Sequence, residues 1–245
     1  MSRRSSPVIG VLAAHAIEIR ALVGMLTETW RAGRVTTGRL HGIPVAMVVT
    51  GQGPRAAARA VGQFLEHFAC EGLVLTGFAG GAQPGLAVGD AVAAETVVDR
   101  AGHVWSSSYH GECAWAAHRG RVATLEAPAR HPEEKRRVGQ TLGCVAVDME
   151  SAAIAEVARV RRVPWVVARV IFDPMERELG VTSGWHATGL AVSVVGWGRL
   201  ARCVRDLEVA RQRIVEIVPT AVQEMSWFLS TRVTRHDKRI VAAAG

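Results

Sequence analysis

Apolar residues along this chain fall into two patterns, short unbroken runs and stripes at helical spacing, and the two alternate. Val8 to Ala14 is an unbroken run, which predicts a buried strand. It leads into a helix predicted over Ala16 to Trp30, with Ile17, Leu22, Met25 and Leu26 on the inner face. Arg34 to Thr50 predicts a hairpin turning at His41-Gly42. Gly51-Gln52-Gly53-Pro54 then opens a helix carrying Ala57, Ala58, Ala60, Val61, Phe64 and Leu65, with proline at the first helical position. Gly72 to Gly81 is a second buried run. The Val88-Gly89-Asp90 turn leads to a strand through Val92, Val97 and Val98. Ala101 to Gly120 is irregular, Arg121 to Leu125 a short strand, and Pro132 to Leu142 a surface helix carrying Glu133, Glu134, Lys135 and Arg136.

Residues 145–173 carry the densest pattern. Asp148 and Glu150 open a helix whose packing face is Ala152, Ala153, Ile154, Val157 and Val160. Pro164 cannot continue it, and Trp165 to Ile171 is nearly all apolar, as in a central parallel strand, ending on Asp173. Pro174 to Trp185 reads as a loop. Helices follow around Leu190–Val204, Leu207–Val218 and Thr220–Leu229, then a basic, loosely held tail. The expected organisation is a frayed terminus at 1–7, one domain over 8–230 and the tail at 231–245.

Strands alternating with helices predict an α/β fold, and 245 residues suffice for one large domain. The net charge of +7 changes little, because the arginines are scattered and no aromatic-interleaved basic stripe accompanies them. Nucleic acid is therefore not an expected partner, and contact with a membrane surface is not indicated. The four cysteines show neither CxxC nor zinc spacing, and His103, His110 and His118 lack metal spacing. No metal and no cofactor are expected. Without a signal peptide or an apolar run of about 18 residues, the expected setting is the cytoplasm.

Chemistry is expected where buried strands end, since open α/β sheets hold ligands there. Asp173 and Glu150 are the first candidates. Glu18 either complements a helix dipole or projects over the edge of the first strand. Gly51 and Gly53, with Arg55 beyond them, either cradle an anion or form a plain turn. Gly77, Gly80 and Gly81 remove side chains where a ligand could approach the backbone. Trp105, Tyr109 and Trp115 form a ligand lid or subunit contact, or pack locally.

In order, Ile9-Gly10-Val11 with Glu18, Thr50-Gly51-Gln52-Gly53, Thr76-Gly77-Phe78-Ala79-Gly80-Gly81, Val88-Gly89-Asp90, Val147-Asp148-Met149-Glu150 and Arg169-Val170-Ile171-Phe172-Asp173 resemble the nucleoside phosphorylase superfamily. Within it they are similar to the hydrolytic methylthioadenosine/S-adenosylhomocysteine nucleosidases. Val147 to Ser151 and Arg169 to Pro174 also resemble hopanoid-associated members, which release adenine from adenosylhopane. The resemblance implies a three-layer α/β/α fold with a central mixed, partly barrel-like sheet, and a homodimer whose neighbouring loop closes the 5′ pocket, here Trp105 to Trp115. It implies cleavage of an adenine nucleoside with an apolar 5′ substituent. Asp173 would protonate N7 of the base, Glu150 would bind the ribose hydroxyls, Met149 would pack on the sugar, and Glu18 would deprotonate the attacking water, helped by Arg169. Phe78, Gly80 and Phe172 are further substrate-binding candidates.

Two positions depart from the pattern: Phe78 and Phe172 stand where the family has serine. They reshape the pocket for an apolar substrate or weaken activity. Water is favoured over phosphate as nucleophile, because the first strand lacks a Gly-x-Pro-x-Arg phosphate loop and Glu18 would repel an anion. Arg55 is the residue that argues for phosphorolysis. The reading from another class is a non-catalytic nucleoside-binding or membrane-surface protein.

Overall fold

A computed structural model describes residues 7–109, 111–178 and 197–243, with side chains of the last segment described over 201–232. The N-terminal residues 1–6, His110 and most of the segment read as a loop and first late helix (179–196) lie outside the described residues. In chain order the elements are β1 (Val8–Ala13), α1 (Ala16–Val23), β2 (Thr27–Ala32), β3 (Val35–Leu40), β4 (Ile43–Val49), α2 (Pro54–His67) and β5 (Cys70–Gly81). They continue with β6 (Ala91–Val98), β7 (Val104–Ser106), β8 (His118–Thr124), α3 (Pro132–Leu142), β9 (Ala146–Asp148), α4 (Ser151–Arg161), β10 (Trp165–Asp173) and α5 (Trp197–Ala243).

All the strands join one mixed sheet that partly closes on itself. β10, β6, β8, β9 and β5 form a ring, because β5 pairs with both β9 and β10. β1, β4, β3 and β2 extend from β5 as an open wing. β1, β5 and β10 lie side by side in parallel, so their carboxyl ends meet at one edge. β10 is buried from Trp165 to Ile171, as its apolar run predicts.

Side-chain alternation distributes β1 between two layers. Ile9, Val11 and Ala13 pack with Ile19 and Leu22 of α1 and with Ala210, Ile214 and Val218 of α5. Leu12 points the other way, into a core shared with Ala57, Val61 and Phe64 of α2 and Ile154, Ala155 and Ala158 of α4. This is the expected α/β/α layering around a partly barrel-like sheet.

Three expectations need correction. The helix predicted to reach Trp30 ends at Val23, where the Gly24 N–H bonds back to the Arg20 carbonyl and the Met25 N–H to the Leu22 carbonyl. Thr27–Ala32 is instead an exposed edge strand paired with β3, and Trp30 is 59% exposed. Met25 and Leu26 continue the helical spacing of Leu22, but β3 offers Thr27 to Ala32 a hydrogen-bonding edge that periodicity cannot register. On α4, Val160 is exposed, and Ala155 and Ala158 take its place in the core. At the C-terminus, the segments read as separate helices are one helix through Pro219 that continues to Ala243. Ala210, Ile214, Ile217, Val218, Ala221, Val222 and Met225 keep one buried stripe across the proline. Packing along that stripe offsets the roughly 3 kcal/mol a mid-helix proline costs.

The aromatic segment packs locally. Tyr109 and Trp115 are buried in the chain's own core, and Trp115 Nε1 donates to Glu224 of α5 at 3.1 Å. Trp105 Nε1 donates to Glu156 of α4 at 2.7 Å. His103 and His118 pair with Asp99 and Asp90.

α3 meets the barrel at a close contact. Only Lys135 and Gly139 are buried on this helix, and they lie one turn apart. A Cβ at Gly139 would overlap the carbonyl oxygen of Ala82, so glycine sets how closely the helix sits. Gly139→Ala is expected to destabilise by about 1–3 kcal/mol, lowering Tm by roughly 2–4 °C per kcal/mol for a chain of this size. Thermal unfolding followed by circular dichroism checks this; an unchanged Tm would mean that α3 can move outward freely.

Candidate active site

The three adjacent parallel strands deliver the candidate residues to one edge. β1 runs through Ala14 and His15 into α1, and Glu18 lies in the first turn of that helix. Its carboxylate is buried and accepts from the His15 N–H at 2.7 Å and the Phe78 N–H at 2.8 Å. Capping its own helix and bonding to the end of β5 at once, Glu18 occupies the crevice as well as the dipole. Gly77 makes this approach feasible. Its φ is +125°, and a Cβ there would stand 2.6 Å from Glu18 Oε1 and 2.8 Å from Arg169 Nη1.

Arg169 projects from the middle of β10 and is 2% exposed. Its Nε donates to Asp148 Oδ2 at 2.9 Å, Nη1 to the Thr76 carbonyl at 2.6 Å and Nη2 to the Ser151 hydroxyl at 3.1 Å. Nη2 also lies 2.7 Å from Asp148 Oδ2 and 3.8 Å from Glu150 Oε2. The arginine is thus tied first to Asp148, a residue the sequence placed in the helix start without a function. Asp148 instead ends β9, where Oδ1 accepts from the Thr124 hydroxyl at 2.7 Å and from the Ser151 N–H at 3.2 Å, and Oδ2 accepts from the Ser151 hydroxyl. A carboxylate here satisfies the first turn of α4 and neutralises Arg169. Its signal in the sequence was the spacing Asp148-x-x-Ser151 ahead of an apolar helix.

Glu150 is the N-cap residue of α4, and Oε1 accepts from the Gly53 N–H at 2.8 Å. Gln52 Nε2 approaches Met149 Sδ at 3.4 Å, so the Gly51-Gln52-Gly53 turn lies against the Met149–Glu150 segment. The Gly53 N–H considered for an external anion is therefore taken up by a carboxylate of the chain. Arg55 is exposed and lines a cleft of about 680 Å³ with Arg34 and Arg59, one that also takes in Gln52 and Gly53 of this turn. Burial raises the Glu150 carboxyl to about 7; Arg169 opposes this, and Asp148 adds to it.

Asp173 ends β10. Burial pushes its carboxyl above the usual range, while the ammonium of Lys135 and, less strongly, Arg177 pull the other way. Lys135 Nζ lies 2.5 Å from Asp173 Oδ2 and is wholly buried, which corrects the reading of Lys135 as part of a solvated face. The stretch Glu133-Glu134-Lys135-Arg136 conceals this, because composition does not show which of four neighbouring charges turns inward. Gly80 leaves space beside the acid: a Cβ there would stand 4.0 Å from Asp173 Oδ2. Phe78 and Phe172, both half-buried, pack with 5.4 Å between ring centroids. They put an aromatic wall between the end of β5 and the end of β10. Among the described residues, no three His, Cys, Asp or Glu side chains group as a metal site, and no helix is long and apolar enough to cross a membrane.

The arrangement sets two carboxyls of raised proton affinity, Asp173 at the end of β10 and Glu150 at the cap of α4, around the Glu18 carboxylate beside the ends of β1 and β5. Such a crevice can protonate a leaving group at one side and stabilise positive charge at the other. Gly77→Ala is expected to displace the Glu18 carboxylate, destabilising by about 1–3 kcal/mol and depressing activity beyond what the loss of folded protein explains. Parallel Tm and turnover measurements check this, and full specific activity in Gly77→Ala would contradict it.

Comparison with known proteins places the chain among relatives. The family model described as Phosphorylase superfamily matches residues 9–113 and 106–188. The 5′-methylthioadenosine/S-adenosylhomocysteine nucleosidase of Anoxybacillus flavithermus is 30% identical over 203 residues, covering 71% of this chain and 88% of that protein. That of Geobacillus kaustophilus is 29% identical over 223 residues, covering 77% and 95%. Among solved structures, the nucleosidase of the same description from Streptococcus pneumoniae with a transition-state inhibitor superposes with a TM-score of 0.71 at 21% identity, covering 90% of this chain and 100% of that one. The Helicobacter pylori nucleosidase of that description, bound to an immucillin, gives 0.67 at 18% identity, covering 87% and 98%. At these identities the structures share the fold.

Proposed function

The chain belongs to the phosphorylase superfamily, and on that premise we propose that it is a nucleosidase, using water to cleave the N-glycosidic bond of a purine nucleoside. In the finer reading the base is adenine and the 5′ substituent is apolar and bulky, as in hopanoid precursors. The observation that carries the choice of water is the state of Arg169. Its guanidinium is already bonded to Asp148, Ser151 and Thr76, and the neighbouring Phe78 N–H already serves Glu18. A phosphate beside Glu18 would meet a carboxylate and a phenyl ring, and Arg169, the cation buried there, is already engaged. The relatives are nucleosidases by name, which supports the same direction.

The mechanism follows from charge. As the C1′–N9 bond breaks, its electron pair moves into the purine and positive charge develops on the sugar. Asp173 transfers its proton to N7, so the base leaves neutral. Glu150 accepts from the ribose hydroxyls, Met149 packs against the sugar, and Glu18 takes a proton from the water whose oxygen bonds to C1′. One acid and one base on opposite sides of the scissile bond match both ends of the transition state. The products are free base and a ribose bearing the 5′ group. Phe78 and Phe172 supply the apolar surface by which the substrate reading goes beyond small thiomethyl groups. A homodimer and a cytoplasmic setting belong to the same proposal.

The test is base release from adenosines graded in 5′ apolar size, with and without phosphate. Release without phosphate, rising with apolar size, is expected. Strict phosphate dependence would make the enzyme a phosphorylase, preference for a 5′-thiomethyl group would remove the bulky-substituent reading, and no release from any compound would favour a binding protein. Asp173→Asn should reduce turnover by roughly 10²–10⁴-fold while leaving nucleoside binding largely intact.

A pH prediction comes from Glu150. With a carboxyl raised to about 7, the group is neutral below that pH and ionised above it. Holding the ribose hydroxyls requires the ionised form, so kcat/KM should fall as pH drops through about 7. Glu150→Gln should lower kcat/KM and abolish that limb; a limb that persists unchanged in the variant would assign it elsewhere.

A further inference from the structure

Lys135 lies on α3, outside the motifs that carry the family resemblance, yet its ammonium is wholly buried. Burying an ammonium is costly unless it is paired and its donors are satisfied. Here each of its three N–H donors has an acceptor: Asp173 Oδ2 at 2.5 Å, the Pro174 carbonyl at 2.9 Å and the Arg177 carbonyl at 2.8 Å. All three acceptors belong to the end of β10 and the few residues after it. Gly139, one turn along α3, lets the helix come close enough for this reach.

A staple for the chain after β10 would need only the two carbonyls. Placing the cation on the carboxyl has a further consequence. When Asp173 gives its proton to the base it becomes a carboxylate in a site that disfavours charge. Among the described residues, the cations facing it are Lys135 from α3 and Arg177 from the segment after β10, and Arg177 is engaged with Asp206 of α5. Lys135 is the one in direct contact.

We propose that Lys135 is the positioning residue for departure of the base: it holds Oδ2 of Asp173, leaves the other carboxyl oxygen to carry the proton to N7, and stabilises the carboxylate that forms as the proton leaves. This rests on the reading of Asp173 as the acid. Atoms and charge balance within that step. The proton passes from Asp173 to N7, the glycosidic electron pair enters the purine, the water oxygen bonds to C1′ and its proton goes to Glu18. Lys135 remains an ammonium throughout, and its partner changes from a neutral acid to an anion. The stabilisation is therefore larger in the transition state than in the ground state, which is the condition for raising kcat.

The experiment uses the full chain and adenine release across pH, with Lys135→Met, Lys135→Gln and Asp173→Asn. Lys135→Met leaves behind a carboxyl that can take up a proton, so it avoids an isolated buried charge, and Lys135→Gln keeps a donor for the carbonyls without the charge. Both are expected to lower kcat on the order of 10²-fold with KM little changed. Both should also move the alkaline limb of kcat/KM to higher pH, because removing the cation lets Asp173 keep its proton longer. Wild-type kcat and an unmoved limb in either folded variant, with Asp173→Asn inactive, would overturn the role of Lys135 and leave the acid in place. Substantial turnover by Asp173→Asn would instead remove the acid itself, and with it the basis of the proposal.

Discussion

A guanidinium with 2% exposure in the middle of a central strand is the constraint on which the rest of the site depends. Arg169 cannot sit in β10 without a counter-charge, and an uncompensated buried cation would unbalance the fold. Asp148 supplies the charge from the end of β9, Ser151 a hydroxyl from the first turn of α4, and Thr76 a carbonyl from β5. Satisfying this one residue brings three elements together. The same contacts place Glu150 at the cap of α4, where Gly53 reaches it, and leave Glu18 to bond across the end of β5. Site geometry and core integrity are here the same problem.

Two buried cations divide the crevice. Arg169 stands among Asp148, Glu150 and Glu18, whereas Lys135 pairs with the Asp173 carboxyl and two backbone carbonyls. Burial raises proton affinity at both Glu150 and Asp173, and the nearby cation limits each rise. The separation comes from which helix supplies the cation's contacts: α4 is anchored to the arginine, and α3 brings the lysine.

The closed part of the sheet explains why this works at a single edge. β5 pairs with β1, β10 and β9, so its glycine-rich end adjoins every strand that contributes a site residue. Gly77 and Gly80 are required there because side-chain carbon would meet Glu18 and Arg169 in one case and press on Val147 in the other. Phe78, between them, fills a position of this run where bulk points away from those contacts and toward Phe172.

Much of this is written locally in the chain. The unbroken run before Asp173, the proline opening α2 and the ordered glycine motifs are determined by backbone preference and burial, so strands, helices and the candidate carboxylates are legible from residue order. Partnership between distant charges is not. Lys135 and Asp173 are separated by a strand and a helix, and Asp148 looks like any acid at a helix start until Arg169 is seen beside it. The edge strand at Thr27–Ala32 and the unbroken α5 have the same cause. In each case a neighbour distant in sequence, β3 or the buried face of the sheet, outweighs the local signal of Met25-Leu26 or of Pro219. Residue order determined which groups could act. Only the packing of α3 and α4 against the sheet decided which cation each carboxyl would face, because that energy depends on distance and burial, which sequence spacing does not specify.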